Sequence, residues 1–381
     1  MSAPTSNFEA ETITTHELLE RSTRAALDLQ RKDGSFPPGK NGVYDETETP
    51  VRTTAHWLTT LVAVYEITDD DEFADAATAA ADYLLAPEAR PYGYTFHSRN
   101  ANGKNSCDGL VGQAAPVRAL GRAGPVLNHP DLIDTAIEVW SLHPFDNRLD
   151  LWEAVEVNGT RLSFDRTLNH QVFFASSAVS LIDESNVVEN RIHSFLDSLG
   201  KNMQVHSDGV IRHYIRPPLR SVLNTVFRSP RHWELTWNEF AARYHSSMSN
   251  FREKERGYHP SILAAFSQLR LRFPDHHVWN HPNVRTAFAF AETDEYENQI
   301  RKRGSSYGSM VPALTHAVLL YRAGKPSLDE IRPWIELAID RKYDSETDLL
   351  TRNAVDPTFQ ASKLNLLTEL PNIRIEVGNS G

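Results

Sequence analysis

The chain has 381 residues, 40% of them hydrophobic, and its 39 basic against 50 acidic side chains leave a net charge of -11. That length is too great for one ordinary compact core, so the chain is either two domains or one large repeat-built domain. The negative charge would repel a phosphate backbone and excludes nucleic acid as a natural partner, while a single cysteine, Cys107, excludes an internal disulfide or a cysteine-rich zinc site and fits a reducing compartment.

The N-terminal stretch MSAPTSNFEAETITTHELLE has neither a basic start nor an apolar run. It predicts no signal peptide, a cytoplasmic location and a flexible segment over residues 1–14. No apolar run reaches the roughly 18 residues that a bilayer span requires, so no transmembrane segment is expected. From residue 15 on, two kinds of helical pattern alternate. The charge-rich, amphipathic kind includes HELLERSTRAALDLQRK, DEFADAATAAADYLLA, PDLIDTAIEVWSLH, VVENRIHSFLDSLG, PNVRTAFAFAET and SLDEIRPWIELAIDRK. The other kind opens on polar or aromatic residues and continues small and apolar. It occurs at 52–67, 108–123, 166–182, 258–273, 307–323 and 357–370.

A solvated stripe opposite an apolar one suits an outer layer, and the small apolar segments suit an inner one. Six such pairs, spaced roughly fifty to sixty residues apart, form a helical-hairpin array. The spacing predicts an all-α fold, an (α/α)6 toroid of six helical hairpins occupying residues 15–370 as one domain, with a tail at 371–381. The third gap is lengthened by an insertion at about 201–250. Within it, MQVHSDGVIRHYIRPP with its Asp208-Gly209 pair reads as a β-hairpin, and YGYTFHSRNANGK (92–104) as a second, both walling one mouth of the ring. Nothing in the sequence specifies an oligomeric state.

In such a ring the pocket is the axial funnel, lined by the starts of the inner helices and the loops before them. The polar residues there are Arg52 and His56, Asp108 and Gln113, Asn169 and His170, Tyr258 and His259, Tyr307, and Gln360 with Lys363, with Arg99 on a loop. Aromatic rings there can stack on a ligand ring, amides and carboxylates can bind its polar groups, and His or Tyr can transfer protons. Tyr307 with His259 or His170 is the expected catalytic pair, placed to remove a C–H proton and return it from the other face. Arg52 or Arg99 is expected to grip a substrate carboxylate. His56, Asp108, Gln113 and Tyr258 complete the expected binding set. A hydrolase would need paired carboxylates, for which Asp108 and Asp165 are the candidates; a third reading is a glycan-binding or assembly protein without chemistry. Asp108 is expected to cap its helix and accept sugar hydroxyls, so that Asp108→Asn should keep the fold.

His276, His277 and His281 in PDHHVWNHP match no short zinc spacing, so no metal is expected. Asn158-Gly159-Thr160 is read as a chance sequon. No phosphate-binding loop, dinucleotide fingerprint or nucleophile elbow is present, and no cofactor is expected.

In its hairpin count and inner-helix texture the chain resembles the six-hairpin toroid enzymes of carbohydrate chemistry, and at LVGQAAPVRAL (110–120) and LQRKDGSFPPG (29–39) it resembles the D-glucuronyl C5-epimerases among them. The N-acylglucosamine 2-epimerases, D-glucuronyl C5-epimerases and unsaturated uronyl hydrolases belong to this group. The resemblance implies a sugar or glycan substrate. It also implies epimerase or isomerase chemistry, on a hexuronic acid in the glucuronyl case.

Overall fold

The computed structural model describes residues 11–228, 233, 236–237, 244, 249–302, 311–324 and 327–378. Its helices alternate as outer and inner partners along the chain. Outer α1 (Thr15–Leu27) leads to inner α2 (Val51–Thr68), α3 (Asp71–Leu85) to α4 (Val111–Val126), and α5 (Pro130–Leu142) to α6 (Leu168–Ser177). Outer α7 (Asn186–Asn202) precedes an inserted helix α8 (Leu219–Arg228) and inner α9 (Ser249–Arg272). The short α10 (Pro282–Phe290) and α11 (Asp294–Lys302) precede inner α12 (Pro312–Arg322). Outer α13 (Leu328–Lys342) precedes α14 (Pro357–Ser362), which continues as a 3-10 helix over Lys363–Glu369.

Local chemistry starts the outer helices. Thr14 with Glu17 and Ser327 with Glu330 form reciprocal capping boxes, and the side chains of Asp70 and Ser185 accept backbone N–H groups of α3 and α7. The inner helices pack in sequence order, α2 on α4, α4 on α6, α6 on α9 and α9 on α12. The 3-10 extension of α14 touches both α12 and α2, which closes the ring. The small residues of α4 lie where elements meet closely: a Cβ on Gly121 would come within 2.6 Å of Ser180 Oγ and 2.8 Å of Leu181 Cδ2. The core lies between the two layers, as where Trp140 of α5 stacks on Phe174 of α6 at 5.6 Å.

Residues 11–14, part of the segment expected to be flexible, are ordered against the tail. Glu11–Thr14 forms strand β1, paired antiparallel with β5 (Arg374–Val377), with Ile13 opposite Ile375. Two four-residue strands are too short for alternation to register in the sequence, and only their meeting reveals them. A second sheet, of β2 (Phe145–Asp146), β3 (Leu151–Val155) and β4 (Arg161–Phe164), was not predicted. Its signal was present in Asn158-Gly159, dismissed as a sequon but forming the tight turn between β3 and β4, with Gly159 at φ +82. The expected Asp208-Gly209 turn is there, with a bridge between Val205 and Ile211. Residues 92–104 form a loop that bridges Glu48 at Arg99.

Candidate functional site

A cavity of about 380 Å³ lies on the ring axis, and every inner helix contributes to its wall. The contributors recur at helical spacing: Arg52, His56 and Thr59 on α2; Ala114, Ala115 and Arg118 on α4; His170 and Phe173 on α6; Tyr258, Ser261 and Ala265 on α9; Thr315, Val318 and Arg322 on α12; Phe359, Lys363 and Leu366 at the C-terminal element. One stripe of each helix therefore faces the axis.

A repeated device sets that stripe. In the first turn of four inner helices, and two turns further along α9, a side chain hydrogen-bonds backbone that precedes its helix in the chain. Thr54 Oγ1 accepts from Phe36 N at 2.9 Å, Gln113 Oε1 from Phe96 N at 2.8 Å, and Gln171 Oε1 from Trp152 N at 3.0 Å. His259 Nδ1 accepts from Ile211 N at 3.2 Å, and Gln360 Nε2 donates to Leu350 O at 2.8 Å. Successive helical residues turn by about 100°. Next to three of these clamps, the preceding residue, His170, Tyr258 or Phe359, faces the cavity instead.

This sorts the expected site residues. Arg52, His56, Arg99, Asp108, Asn169, His170, Tyr258 and Lys363 line the cavity together. Gln113, His259 and Gln360 do not; they are the clamps, fully buried. Burial among Phe290 and Tyr296 pushes His259 down to about 3, which suits a neutral structural ring. Tyr307 lies outside the described residues.

Asp108 does not cap α4. It sits at φ +54, three residues before the helix, and forms ion pairs with Arg52 and, at 2.7 Å, with Arg99. The two arginines also reach Glu48 and Glu46, each at 3.2 Å, so their charge is met from within the protein. The unpredicted sheet helps hold this loop: Glu156, just after β3, accepts from the backbone N–H of Ser106 and Cys107, both at 3.0 Å. Burial pushes the Cys107 thiol up to about 12.

Asp165 stands behind His170. Its carboxylate meets His170 Nδ1 at 2.8 Å and accepts from Leu110 N and Thr167 Oγ1 at 3.2 and 3.0 Å. Burial pushes the carboxyl up, but the imidazole and these donors outweigh it and hold the group at about 2. Gly109 is required here, because at φ +57 a Cβ would come within 2.4 Å of Asp165 Oδ2. With Nδ1 engaged, His170 has Nε2 left for a ligand.

The sixth inner element stands three places from α6 in either direction around the ring, so Lys363 lies on the wall opposite His170. Burial, with the neighbouring Arg52 and Arg118, pushes its amine down to about 7. Its Nζ lies 3.0 Å from His56 Nε2, and Asn365 Nδ2 lies 3.0 Å from His56 Nδ1. With the Asn365 amide donating to Nδ1, the ring proton sits on Nε2 and points at Lys363, whose amine accepts it only when uncharged. Enclosure and the same cationic neighbours, Lys363 foremost, hold His56 well below the usual histidine range. Sequence reasoning placed Lys363 at the mouth but gave it no chemistry, since its low basicity comes from groups distant in the chain.

Deeper in the cavity, Arg118 donates to Ser176 Oγ at 3.1 Å, and Arg322 pairs with Glu369 at 2.8 Å. Burial lowers Arg118 to about 10, which leaves it charged at neutral pH. Asn169 and Gln268 each bring to the lining a buried amide oxygen with no hydrogen-bond partner in this structure. Such atoms invite a ligand hydroxyl or water.

On the outer surface, His193, Asp197 and His276 gather their ligand atoms within 4.8 Å of one another. His276 Nδ1 accepts from Val278 N at 3.2 Å, so in the neutral ring the proton is on Nε2, facing the Asp197 carboxylate at 3.3 Å. Nδ1 of His276 is thus committed to the backbone, and Nε2 meets Asp197 only as an ion-pair contact.

No protein-family profile matches the chain. Among solved structures it is similar in fold to a D-mannose isomerase, at TM-score 0.63 and 12% identity over 96% of this chain and 99% of that one. A cellobiose 2-epimerase from Bacillus thermoamylovorans is similar at TM-score 0.61 and 11% identity, over 93% and 98% respectively. These likenesses establish the (α/α)6 toroid. In sequence the chain is 35% identical over 366 residues to archaeal glycosylation protein Q of Haloferax volcanii, covering 94% of this chain and 98% of its relative. A match of that identity along nearly the full length of both proteins places the chain in the family of archaeal glycosylation protein Q.

Proposed function

We propose that the protein is a sugar epimerase or isomerase acting on a glycan or its precursor, by proton transfer across the axial cavity. The observation that carries this reading is the pair of titratable groups on opposite walls: His170 backed by Asp165, and Lys363 beside His56. The uncharged Lys363 amine turns its lone pair from the His56 Nε2–H to the substrate and takes the proton from a C–H bond acidified by an adjacent carbonyl or carboxylate. The electron pair stays on the substrate as an enolate-like species, and protonated His170 returns a proton through Nε2 to the opposite face. Arg118 stabilises the negative charge, and the partnerless amide oxygens of Asn169 and Gln268 accept sugar hydroxyls. The name of the Haloferax volcanii relative supports a place in glycosylation, and the two fold neighbours catalyse reactions of this type by name.

The test is incubation with candidate uronates and hexoses in deuterated water. One solvent deuterium at one carbon is expected. His170→Ala and Lys363→Met should each lower exchange by about a hundredfold or more. Release of new reducing ends without exchange would replace this reading with a hydrolase, against which Asp108 and Asp165 already engaged in ion pairs and hydrogen bonds weigh. Tight sugar binding with no exchange would leave a glycan-binding protein.

A further inference from the structure

The inserted segment leaves the ring at His213 and returns at Lys254, both of which line the cavity, so it springs from the rim of the mouth. Its helix α8 carries one broad apolar face, buried along one edge and exposed along the other. Val222, 3% exposed, packs into the body with Val226 against the core. Leu219, Leu223 and Phe227, spaced four residues apart, form the outer edge of that face, exposed by 57%, 40% and 84%. Trp233, Trp237 and Tyr244 are exposed further along, and Trp233 and Trp237 meet at 5.9 Å. Six of the fifteen large hydrophobic side chains exposed among the described residues thus fall within one short segment. A patch of this kind marks a surface that meets something apolar.

The charge of the segment selects the occupant. Between residues 216 and 243 the sequence carries five arginines against two glutamates, within a chain of net charge -11. Guanidinium groups bind phosphates in a bidentate fashion, tryptophan favours the boundary between headgroups and acyl chains, and an apolar stripe beside arginines suits a helix lying in that boundary. No described helix is long and apolar enough to cross a membrane, so contact through this segment is peripheral. We propose that the outward face of α8, with Trp233, docks on an anionic lipid bilayer and sets the cavity mouth beside the membrane, where a lipid-anchored glycan would present its sugars. The docking rests on α8 and not on the reaction in the cavity, so either can fail alone.

The experiment is flotation of the full chain with phosphatidylglycerol vesicles and with phosphatidylcholine vesicles. Binding to the anionic vesicles, weakened by salt and accompanied by a blue shift of tryptophan fluorescence, is expected. Leu223→Asp with Phe227→Asp should weaken it about tenfold or more, and Arg220→Glu should weaken it and flatten its salt dependence. Phe227→Ser alone, at a side chain this exposed, leaves the fold intact and should still lower binding. Solvent exchange on soluble sugars should be unchanged in these variants. Absence of vesicle binding, or equal binding by the aspartate variants, would overturn the proposal. So would a dimer in sedimentation that those variants turn into a monomer, since the stripe would then cover a second copy of the chain.

Discussion

Asp165 links stability to pH. Folding lowers its carboxyl to about 2, so the stability it contributes is fully present above about 4 and is lost as pH falls through about 2. The contribution is about 2 kcal/mol, and urea unfolding at successive pH values should show Asp165→Asn with a shallower loss of stability over that window. Gly109→Ala combines the positive φ with a clash against the same carboxylate; a loss of about 1–3 kcal/mol and a fall in exchange resembling that of His170→Ala are expected. Lys363 has the opposite sign. Its amine is pushed down to about 7, so the folded state bears a penalty at lower pH that is relieved as pH rises through that value toward the ordinary lysine range. Turnover by a Lys363 base should therefore rise through about pH 7, while Lys363→Met should raise the melting temperature most on the acidic side. Asp108→Asn is no longer expected to leave stability unchanged. Asparagine tolerates the left-handed backbone, but it abandons two arginines, and a loss of about 2 kcal/mol should be measurable by calorimetry.

Five of the six inner elements share one device, a buried side chain that holds the preceding chain, and beside three of these clamps the preceding residue faces the axis. Gln171→Leu keeps the volume but leaves Trp152 N and O without partners. A loss of about 1–3 kcal/mol is expected, together with weaker substrate affinity, because the clamp also sets the orientation of α6 and so of His170. The helices themselves were legible from period and composition. Which polar residue of each helix start faces the cavity was not. Tyr258 and His259 are equally polar neighbours in sequence, and only the packing of α9 on its neighbours turns one to the axis and the other to the core. The β2–β3–β4 sheet was overlooked because its strands are short and one of them, β3, is wholly buried, although the Asn158-Gly159 turn announced it.

Closure of the ring makes its stability collective, since the C-terminal element packs on α2 as well as α12. A single cooperative unfolding transition is expected, in which removal of residues 371–381 lowers the midpoint by taking β5 from β1; separate transitions on calorimetry would indicate an open array. The sequence by itself determined the six-hairpin count, the inner and outer roles of the helices and the axial position of the site, because these follow from helical period and from where small and charged residues recur. The tertiary structure alone decided which groups oppose one another across the cavity, that Asp108 is engaged by two arginines, and that Lys363 is weakly basic. Those properties arise from fields and contacts between residues tens to hundreds of positions apart, and no local pattern encodes them.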